Sequence, residues 1–263
     1  MDLLTAAAID TNWAMFGLGN ETLESPLATL IRNESLPDIY DANKIGAIRA
    51  SSPAEITELI ERADEYYRHA HHRCFVLDPL CSPEFSAHLA FQGGYARDDT
   101  LLLTLAGDLH GRAVRSEIRP VETDSDWESF WQLMWLNWQE RQTRQDHIAR
   151  ENVARQMWRG HKLQQPPMQY WMAYVGEVAV AYCASFPGIG GVGQVENLFT
   201  RADYRLRGIA KSLIFHCVAR CRELGAGPLV IAADPADTPK DIYGSLGFRP
   251  VSVISRYLKR LDD

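Results

Sequence analysis

The feature that most constrains the fold is residues 196–224, where a strand pattern leads through a cationic glycine turn into an amphipathic helix. The strand pattern ends near Thr200, and the helical pattern begins at about Gly208. Strand and helix patterns also alternate elsewhere in the chain, which predicts an α/β or α+β layer structure. The apolar residues after the turn recur at helical spacing and predict one buried helix face; they are Ala210, Leu213, Ile214, Cys217, Val218, Cys221 and Leu224.

The turn before this helix predicts an anion-binding site. A helix N-terminus presents unpaired N–H groups and the positive end of the helix dipole. Gly208 has no Cβ, so its backbone can approach a ligand closely. Arg205, Arg207 and Lys211 add positive charge around it. This combination is typical of a site that binds a pyrophosphate group.

A second glycine motif, G-x-G-x-x-G at residues 188–193, does not predict a nucleotide site. That interpretation requires the motif to leave a strand and open a helix. Here the segments on both sides, residues 177–186 and 194–200, have strand patterns. The glycines therefore predict the turn of a β-hairpin.

Three segments of the chain resemble the GCN5-related N-acetyltransferases (GNAT). R-x-x-G-x-A at residues 205–210 is similar to the Arg/Gln-x-x-Gly-x-Gly/Ala signature of that family, with Ala210 in place of the commoner glycine. Residues 195–200 resemble the splayed fourth strand before the signature, and residues 242–248 resemble the L-Y-x-x-L-G-F ending. The resemblance covers about residues 116–260. It implies a mixed, mostly antiparallel twisted sheet flanked by helices, with acetyl-CoA as cosubstrate.

The resemblance also implies which residues contact acetyl-CoA. The backbone of residues 198–200 would bind the pantetheine arm, and residues 205–212 would bind the pyrophosphate. The implied cofactor-binding residues are Leu198, Phe199, Thr200, Arg205, Leu206, Arg207, Gly208, Ile209, Ala210, Lys211 and Ser212. The asparagine that the family often has before its last helix is not evident, so the contacts after the fifth strand stay unassigned.

Two side chains are the catalytic groups that the resemblance implies. Glu196 would accept the proton of the acceptor amine through a water molecule, and Tyr243 would protonate the departing thiolate. A backbone N–H near Leu198 would meet the oxyanion of the tetrahedral intermediate. Without a catalytic role, Glu196 would be a strand-edge glutamate and Tyr243 a tyrosine packed at a helix edge. The reaction needs no metal, and none is expected.

Four tryptophans share one face of the first long helix pattern in the C-terminal half. Trp127, Trp131, Trp135 and Trp138 follow one another at spacings of four, four and three. Such a stripe is typical of a hydrophobic core. The functional alternative is an aromatic wall over a cationic or sugar-like acceptor. On that alternative, Trp135, Trp138 and Glu140 are the candidate substrate-binding residues.

The chain divides into two halves with a similar order of elements. We expect a degenerate GNAT-like domain at residues 1–106, a linker at 107–116 and the catalytic GNAT domain at 117–263, each domain with its own mixed, mostly antiparallel twisted sheet flanked by helices. Where the glycine turn would fall in the first half, residues 52–55 form an ordinary capping box. The N-terminal half is therefore not expected to bind acetyl-CoA. We expect it to cover the acceptor cleft or to provide a homodimer surface.

Composition limits the partners. The 263 residues carry a net charge of −7 and are 46% hydrophobic, which is ordinary for a globular protein and argues against a nucleic-acid partner. No apolar run approaches the ~18 residues that a membrane span needs. The first residues carry no basic leader, so we expect a cytoplasmic protein without a membrane partner. Five cysteines without a C-x-x-C pair predict neither a disulfide framework nor a zinc site.

The acidic balance and the tryptophan stripe favour a small-molecule amine as acceptor. A cationic amino sugar, such as an aminoglycoside-like antibiotic, would make the protein a resistance enzyme. Polyamines and amino acids are further small acceptors. One alternative is an acetyltransferase for protein N-termini or lysines, which would have an open, groove-like acceptor site. The other is a non-catalytic acyl-CoA-binding module.

Overall fold

The computed structural model describes residues 1–91, 93–144, 151–236 and 239–261. Within these ranges the chain forms seven α-helices and eleven β-strands. The helices are α1 (Leu3–Gly17), α2 (Pro53–Tyr66), α3 (Pro83–Phe91), α4 (Asp124–Arg144), α5 (Glu151–Leu163), α6 (Ile209–Glu223) and α7 (Pro239–Ser245). The strands are β1 (Glu21–Glu24), β2 (Thr29–Arg32), β3 (Lys44–Gly46), β4 (His72–Leu77), β5 (Ala96–Leu105), β6 (Glu117–Pro120), β7 (Gln169–Val175), β8 (Val178–Ile189), β9 (Val192–Thr200), β10 (Leu229–Ala233) and β11 (Arg249–Arg260).

The strands form one sheet in the order β1-β2-β3-β4-β11-β5-β10-β9-β8-β7-β6. Within the described ranges, only the pairs β3–β4 and β9–β10 are parallel. The prediction of a mixed, mostly antiparallel sheet flanked by helices is confirmed. The glycine motif at 188–193 forms the β8–β9 hairpin turn, with Gly190 and Gly191 at positive φ, so the hairpin prediction is also confirmed.

The two halves exchange their last strands. β5, which ends the N-terminal half, lies between β10 and β11 and pairs with both. β11, which ends the chain, lies between β4 and β5. One sheet was expected in each half, and this exchange joins the two into one sheet while covering edges that would otherwise be unpaired. The connection at 107–116 runs between β5 and β6, and the domain limits placed on either side of it stay a prediction.

Alternation along the central strands divides the core of the C-terminal half between the two faces of the sheet. On β7, Trp171 and Ala173 pack in the cluster that contains α6. Tyr170 and Met172 point the other way and pack with α4 and with Met15 of α1. Helix α1 therefore comes from the N-terminal half of the sequence but lies on the sheet of the C-terminal half.

The helices begin and end where local chemistry requires it. At the start of α2, the Ser52 side chain accepts the N–H of Glu55 while the Glu55 carboxylate accepts the N–H of Ser52, as the capping box predicted. Gly208 precedes α6 and Gly225 follows it, both at positive φ. Within the described ranges, no helix combines the length and the apolar character that crossing a lipid bilayer requires.

Candidate active site

The candidate site begins where two parallel strands separate. The β9–β10 ladder runs from the pair Gly193–Leu229 to the pair Val195–Ile231. Both strands continue beyond this point, β9 as far as Thr200. The backbone of β9 after Val195 therefore faces an opening in the sheet. Residues 198–200, which the sequence assigned to the pantetheine arm, lie along this opening.

A β-bulge lies at the start of the opening. Ala184 pairs with Glu196 and Tyr182 pairs with Phe199, so that two residues of β9 face one residue of β8. One of the two, Asn197, has φ 57°, in the left-handed region that non-glycine residues rarely adopt. A bulge takes one residue out of the ladder and re-aims its backbone. This local geometry is compatible with the predicted oxyanion donor, a backbone N–H near Leu198.

The turn before α6 leaves a helix N-terminus without a side-chain cap. Gly208 is the N-cap residue, with φ 81°, and the first bond of the helix runs from the Ser212 N–H to the Gly208 carbonyl at 3.1 Å. The N–H groups of the first helical turn, before Ser212, have no partner inside the helix. Leu206, also at positive φ, is fully exposed. These features fit the pyrophosphate part of acetyl-CoA.

Buried side chains in these segments can offer a ligand only their backbone. Ile209 is 7% exposed and packs in the α6 core, and Phe199 is 5% exposed and packs on Tyr182. The Ser212 hydroxyl donates to the Val114 carbonyl at 2.8 Å. The connection between β5 and β6 therefore lies against the N-terminus of α6.

The arginines of the turn are held by nearby acceptors. Arg207 donates to the Asp203 carbonyl at 2.8 Å. Arg205 donates to the Thr200 carbonyl at 2.9 Å and pairs with the Glu140 carboxylate. Glu140, predicted as a possible substrate residue, thus lies beside the glycine turn. Its pairing fixes Arg205 across the end of β9.

The tryptophan stripe lies in the core for at least half of its length. Trp127 and Trp131 are 5% and 3% exposed and pack on the sheet with Phe130. Trp135 stacks on Trp131 at 5.7 Å between ring centroids, and Trp138 packs at the edge of the same cluster. The Trp138 Nε1–H is buried without a partner among the described residues. The assignment of Trp135 and Trp138 to the substrate stays a prediction.

Glu196 follows the last residue of β9 that pairs with β10, and burial is the largest influence on the pKa of its carboxyl group. Desolvation raises the pKa of its carboxyl above the ordinary value of 4.5, and a hydrogen bond from Gln194 opposes the rise. The Gln194 Nε2 atom is 2.9 Å from Glu196 Oε2. Asp41 raises this pKa further and Lys44 lowers it. Two residues of the N-terminal half are therefore close enough to influence the candidate base.

Asp41 and Lys44 form an ion pair that sequence reasoning did not find. Their atoms Oδ1 and Nζ are 2.9 Å apart, and the Lys44 ammonium lies over the Phe16 ring. The Lys44 side chain is 3% exposed, whereas that of Asp41 is 60% exposed. Desolvation is the largest influence on the pKa of Asp41 and acts to raise it, but Lys44 and Arg256 lower it overall. Asp41 is therefore an exposed carboxylate that stays paired with a buried lysine.

Tyr243, the predicted general acid, lies in α7. Its side chain is 5% exposed and packs in the α6 cluster, with its ring 6.3 Å from that of Phe248. The helix places it in the same cluster as Ile209, the first residue of α6. Its role in the reaction stays a prediction.

Residues 127–248 match the model of the acetyltransferase (GNAT) family. The matched range contains Glu196, the turn at Gly208 and Tyr243. Residues 127–248 of this chain form a GNAT acetyltransferase domain. The protein is therefore an N-acetyltransferase, and acetyl-CoA is its acetyl donor.

The likeness to solved GNAT structures extends over both halves. A GCN5-related N-acetyltransferase from Kribbella flavida is 17% identical, with a TM-score of 0.69 over 96% of this chain and 95% of that one. A conserved protein of unknown function from Staphylococcus epidermidis is 14% identical, with a TM-score of 0.69 over 92% and 95%. A tandem GNAT protein from the clavulanic acid biosynthesis pathway is 13% identical, with a TM-score of 0.56 over 80% and 71%. At these identities the likeness concerns the fold alone, and one of the proteins with this fold is a tandem GNAT protein. No protein with a curated description matches the sequence.

Proposed function

We propose that this GNAT enzyme acetylates a primary amine of a small cationic molecule, by direct attack of the amine in a ternary complex. A cationic amino sugar of aminoglycoside type is the acceptor class to test first. The observation that carries the proposal is that the candidate base Glu196 of one half is close enough to the exposed carboxylate of Asp41 in the other for Asp41 to raise its pKa. Glu196, when ionised, leaves a net negative charge beside the ion pair of Asp41 and Lys44, which suits an ammonium group.

Each residue of the cleft then has a defined task. Acetyl-CoA supplies the activated thioester carbonyl. Glu196, when ionised, accepts the ammonium proton through water and so creates the neutral nucleophile. The Leu198 N–H stabilises the oxyanion, and such a donor contributes about 3 kcal/mol to lowering the barrier. Tyr243 donates its phenolic proton to the thiolate as the thiolate leaves. The backbone of residues 205–212 binds the pyrophosphate.

The position of the N-terminal half favours a small acceptor over a protein. Helix α1 packs on the face of the sheet that carries Gln194, and the ion pair of Asp41 and Lys44 lies beside Glu196. A protein N-terminus or lysine would need an open groove at this point. The packing of these elements beside Glu196 supports a compact acceptor, and the protein acetyltransferase is the second candidate.

The direct test is release of the CoA thiol from acetyl-CoA in the presence of candidate acceptors. The panel contains aminoglycosides, polyamines, amino acids and short lysine peptides. We expect release that depends on an aminoglycoside or another cationic small amine. Release with the peptides alone would contradict the small-molecule proposal and favour the protein acceptor. Binding of acetyl-CoA without release by any member would contradict the proposed acceptor class.

Tyr243→Phe is expected to lower turnover about 100-fold while the affinity for acetyl-CoA stays unchanged, because a positioned acid acts on the leaving group and not on ground-state binding. The measurement compares kcat with the acetyl-CoA Kd from calorimetry. Tyr257→Phe is the matched control, since Tyr257 is a buried tyrosine whose hydroxyl lies 3.3 Å from Ser86 in the N-terminal half. Wild-type turnover in Tyr243→Phe would remove Tyr243 as the acid.

A further inference from the structure

Helix α1 is fixed against the strand that carries Glu196. Thr11 is fully buried, and its hydroxyl donates to the Val192 carbonyl on β9 at 3.1 Å. Ile9 packs with Leu102 of β5, and Met15 packs in the cluster of α4. The first helix of the N-terminal half therefore has a defined position relative to the catalytic half. Any polar side chain on its inner face can act on β9 directly.

Asn12, Gln194 and Glu196 form a continuous hydrogen-bonded chain on this inner face. Gln194 is fully buried, and its Nε2 atom lies 3.0 Å from Asn12 Oδ1 and 2.9 Å from Glu196 Oε2. An ionised carboxylate can only accept hydrogen bonds, so Gln194 must present its NH₂ group to Glu196. The second hydrogen on the same nitrogen then meets the side-chain oxygen of Asn12.

The side-chain oxygen of Gln194 indicates what determines the orientation of its amide group. Its Oε1 atom is buried without a hydrogen-bond partner among the described residues. Leaving a buried carbonyl unpaired costs free energy. Turning the amide over would bring that oxygen against the carboxylate of Glu196, which is worse. The two hydrogen bonds that the Gln194 NH₂ group donates, one to Asn12 and one to Glu196, therefore hold the Gln194 amide in this orientation.

We propose that Asn12 is a positioning residue, which acts through Gln194 to hold the Glu196 carboxylate ionised and in one orientation. The inference rests on the proposed function, in which Glu196 is the base. Through this relay the N-terminal half contributes to the chemistry as well as covering the acceptor cleft. Loss of either relay residue weakens the support of the ionised carboxylate and therefore raises the pKa of Glu196.

The other titratable groups around Glu196 are not part of the relay. Lys44 faces it from the start of β3, Asp41 from the short 3-10 helix before that strand, and Tyr170 from β7. His161 of α5 lies behind Tyr170, 2.8 Å from its hydroxyl, and burial lowers the pKa of this histidine to about 4. At neutral pH His161 is therefore uncharged and adds no charge to the comparison. A change in Glu196 produced by Asn12 or Gln194 can then be assigned to the relay.

The test is a ¹³C NMR titration of the glutamate carboxyl groups in the full-length protein, which needs no acceptor. The Glu196 signal is assigned by its disappearance in Glu196→Gln. Gln194→Met removes the donor at similar volume and is expected to raise the Glu196 pKa by about one unit, the shift that loss of one charged hydrogen bond produces. Asn12→Ala is expected to raise it by a smaller amount. The double variant should match Gln194→Met alone, because Asn12 acts only through Gln194.

Thr11→Val is the matched control, because it removes another buried hydrogen bond between α1 and β9 without touching Gln194. It is expected to leave the Glu196 pKa unchanged. An unchanged pKa in Gln194→Met, additive shifts in the double variant, or an equal shift in Thr11→Val would each overturn the relay. The base role is tested separately by the turnover of Glu196→Gln. Full turnover there would remove Glu196 as the base and leave the titration result intact.

Discussion

Glu196→Gln is expected to lower kcat/KM for the acceptor by about 10²–10⁴-fold at neutral pH, the usual contribution of a positioned general base. The substitution conserves volume and removes the only group in the proposal that accepts the ammonium proton. The acetyl-CoA Kd should change little, because the proposed cofactor contacts lie on residues 198–212. The measurement is steady-state kinetics with the acceptor that the thiol-release screen identifies.

The pH dependence of the wild-type enzyme provides a second reading of the same prediction. Burial raises the pKa of Glu196 above 4.5, and the base works only when ionised. Activity should therefore fall, as the pH is lowered, at a higher pH than an ordinary glutamate would give. This loss of activity at low pH, the acidic limb of the pH profile, should be absent in Glu196→Gln. Glu177→Gln, a change at a carboxylate that is 92% exposed on the β7–β8 turn, is the control and should keep it. A Glu196→Gln enzyme with the wild-type limb would show that another group takes the proton.

Local sequence patterns predicted most of the elements because their causes are local. The apolar stripe after Gly208 became α6, and the strand patterns on either side of the glycines at 188–193 became β8 and β9. The exchange of β5 and β11 was not predicted. It depends on pairs such as Leu102–Ser252, whose partners lie far apart in the chain. Nothing in the sequence around either residue distinguishes this pairing from a sheet confined to one half.

The residues of the candidate site also divide into those that a local pattern predicts and those that depend on tertiary packing. Gly208 and Glu196 were found because the glycine turn and its preceding strand form a contiguous motif. Asn12, Asp41 and Lys44 were missed, because they belong to the half whose glycine signature is absent and they meet Glu196 only through tertiary packing. Their signal is visible only in the fold: polar side chains buried or half enclosed beside a carboxylate.

Gly208→Val is expected to weaken acetyl-CoA binding at least about 100-fold, which corresponds to about 2.7 kcal/mol. The backbone of Gly208 has φ 81°, and a branched residue is strained there. A Cβ at this position would also lie 3.0 Å and 3.1 Å from the two methyl groups of Val114, so the turn or the connecting segment must shift. Either shift disturbs the N–H groups that the pyrophosphate would contact. Calorimetric titration with acetyl-CoA measures the loss.

Gly225→Val separates this effect from a general weakening of α6. Gly225 follows the same helix at φ 93°, and a Cβ there would meet no atom within 4 Å among the described residues. The variant therefore carries comparable backbone strain, but at the C-terminal end of α6, away from the turn that would bind the pyrophosphate. It should bind acetyl-CoA with wild-type affinity while losing some thermal stability. Equal loss of affinity in both variants would mean that the folding of α6 was measured. Wild-type affinity in Gly208→Val would mean that the pyrophosphate lies elsewhere.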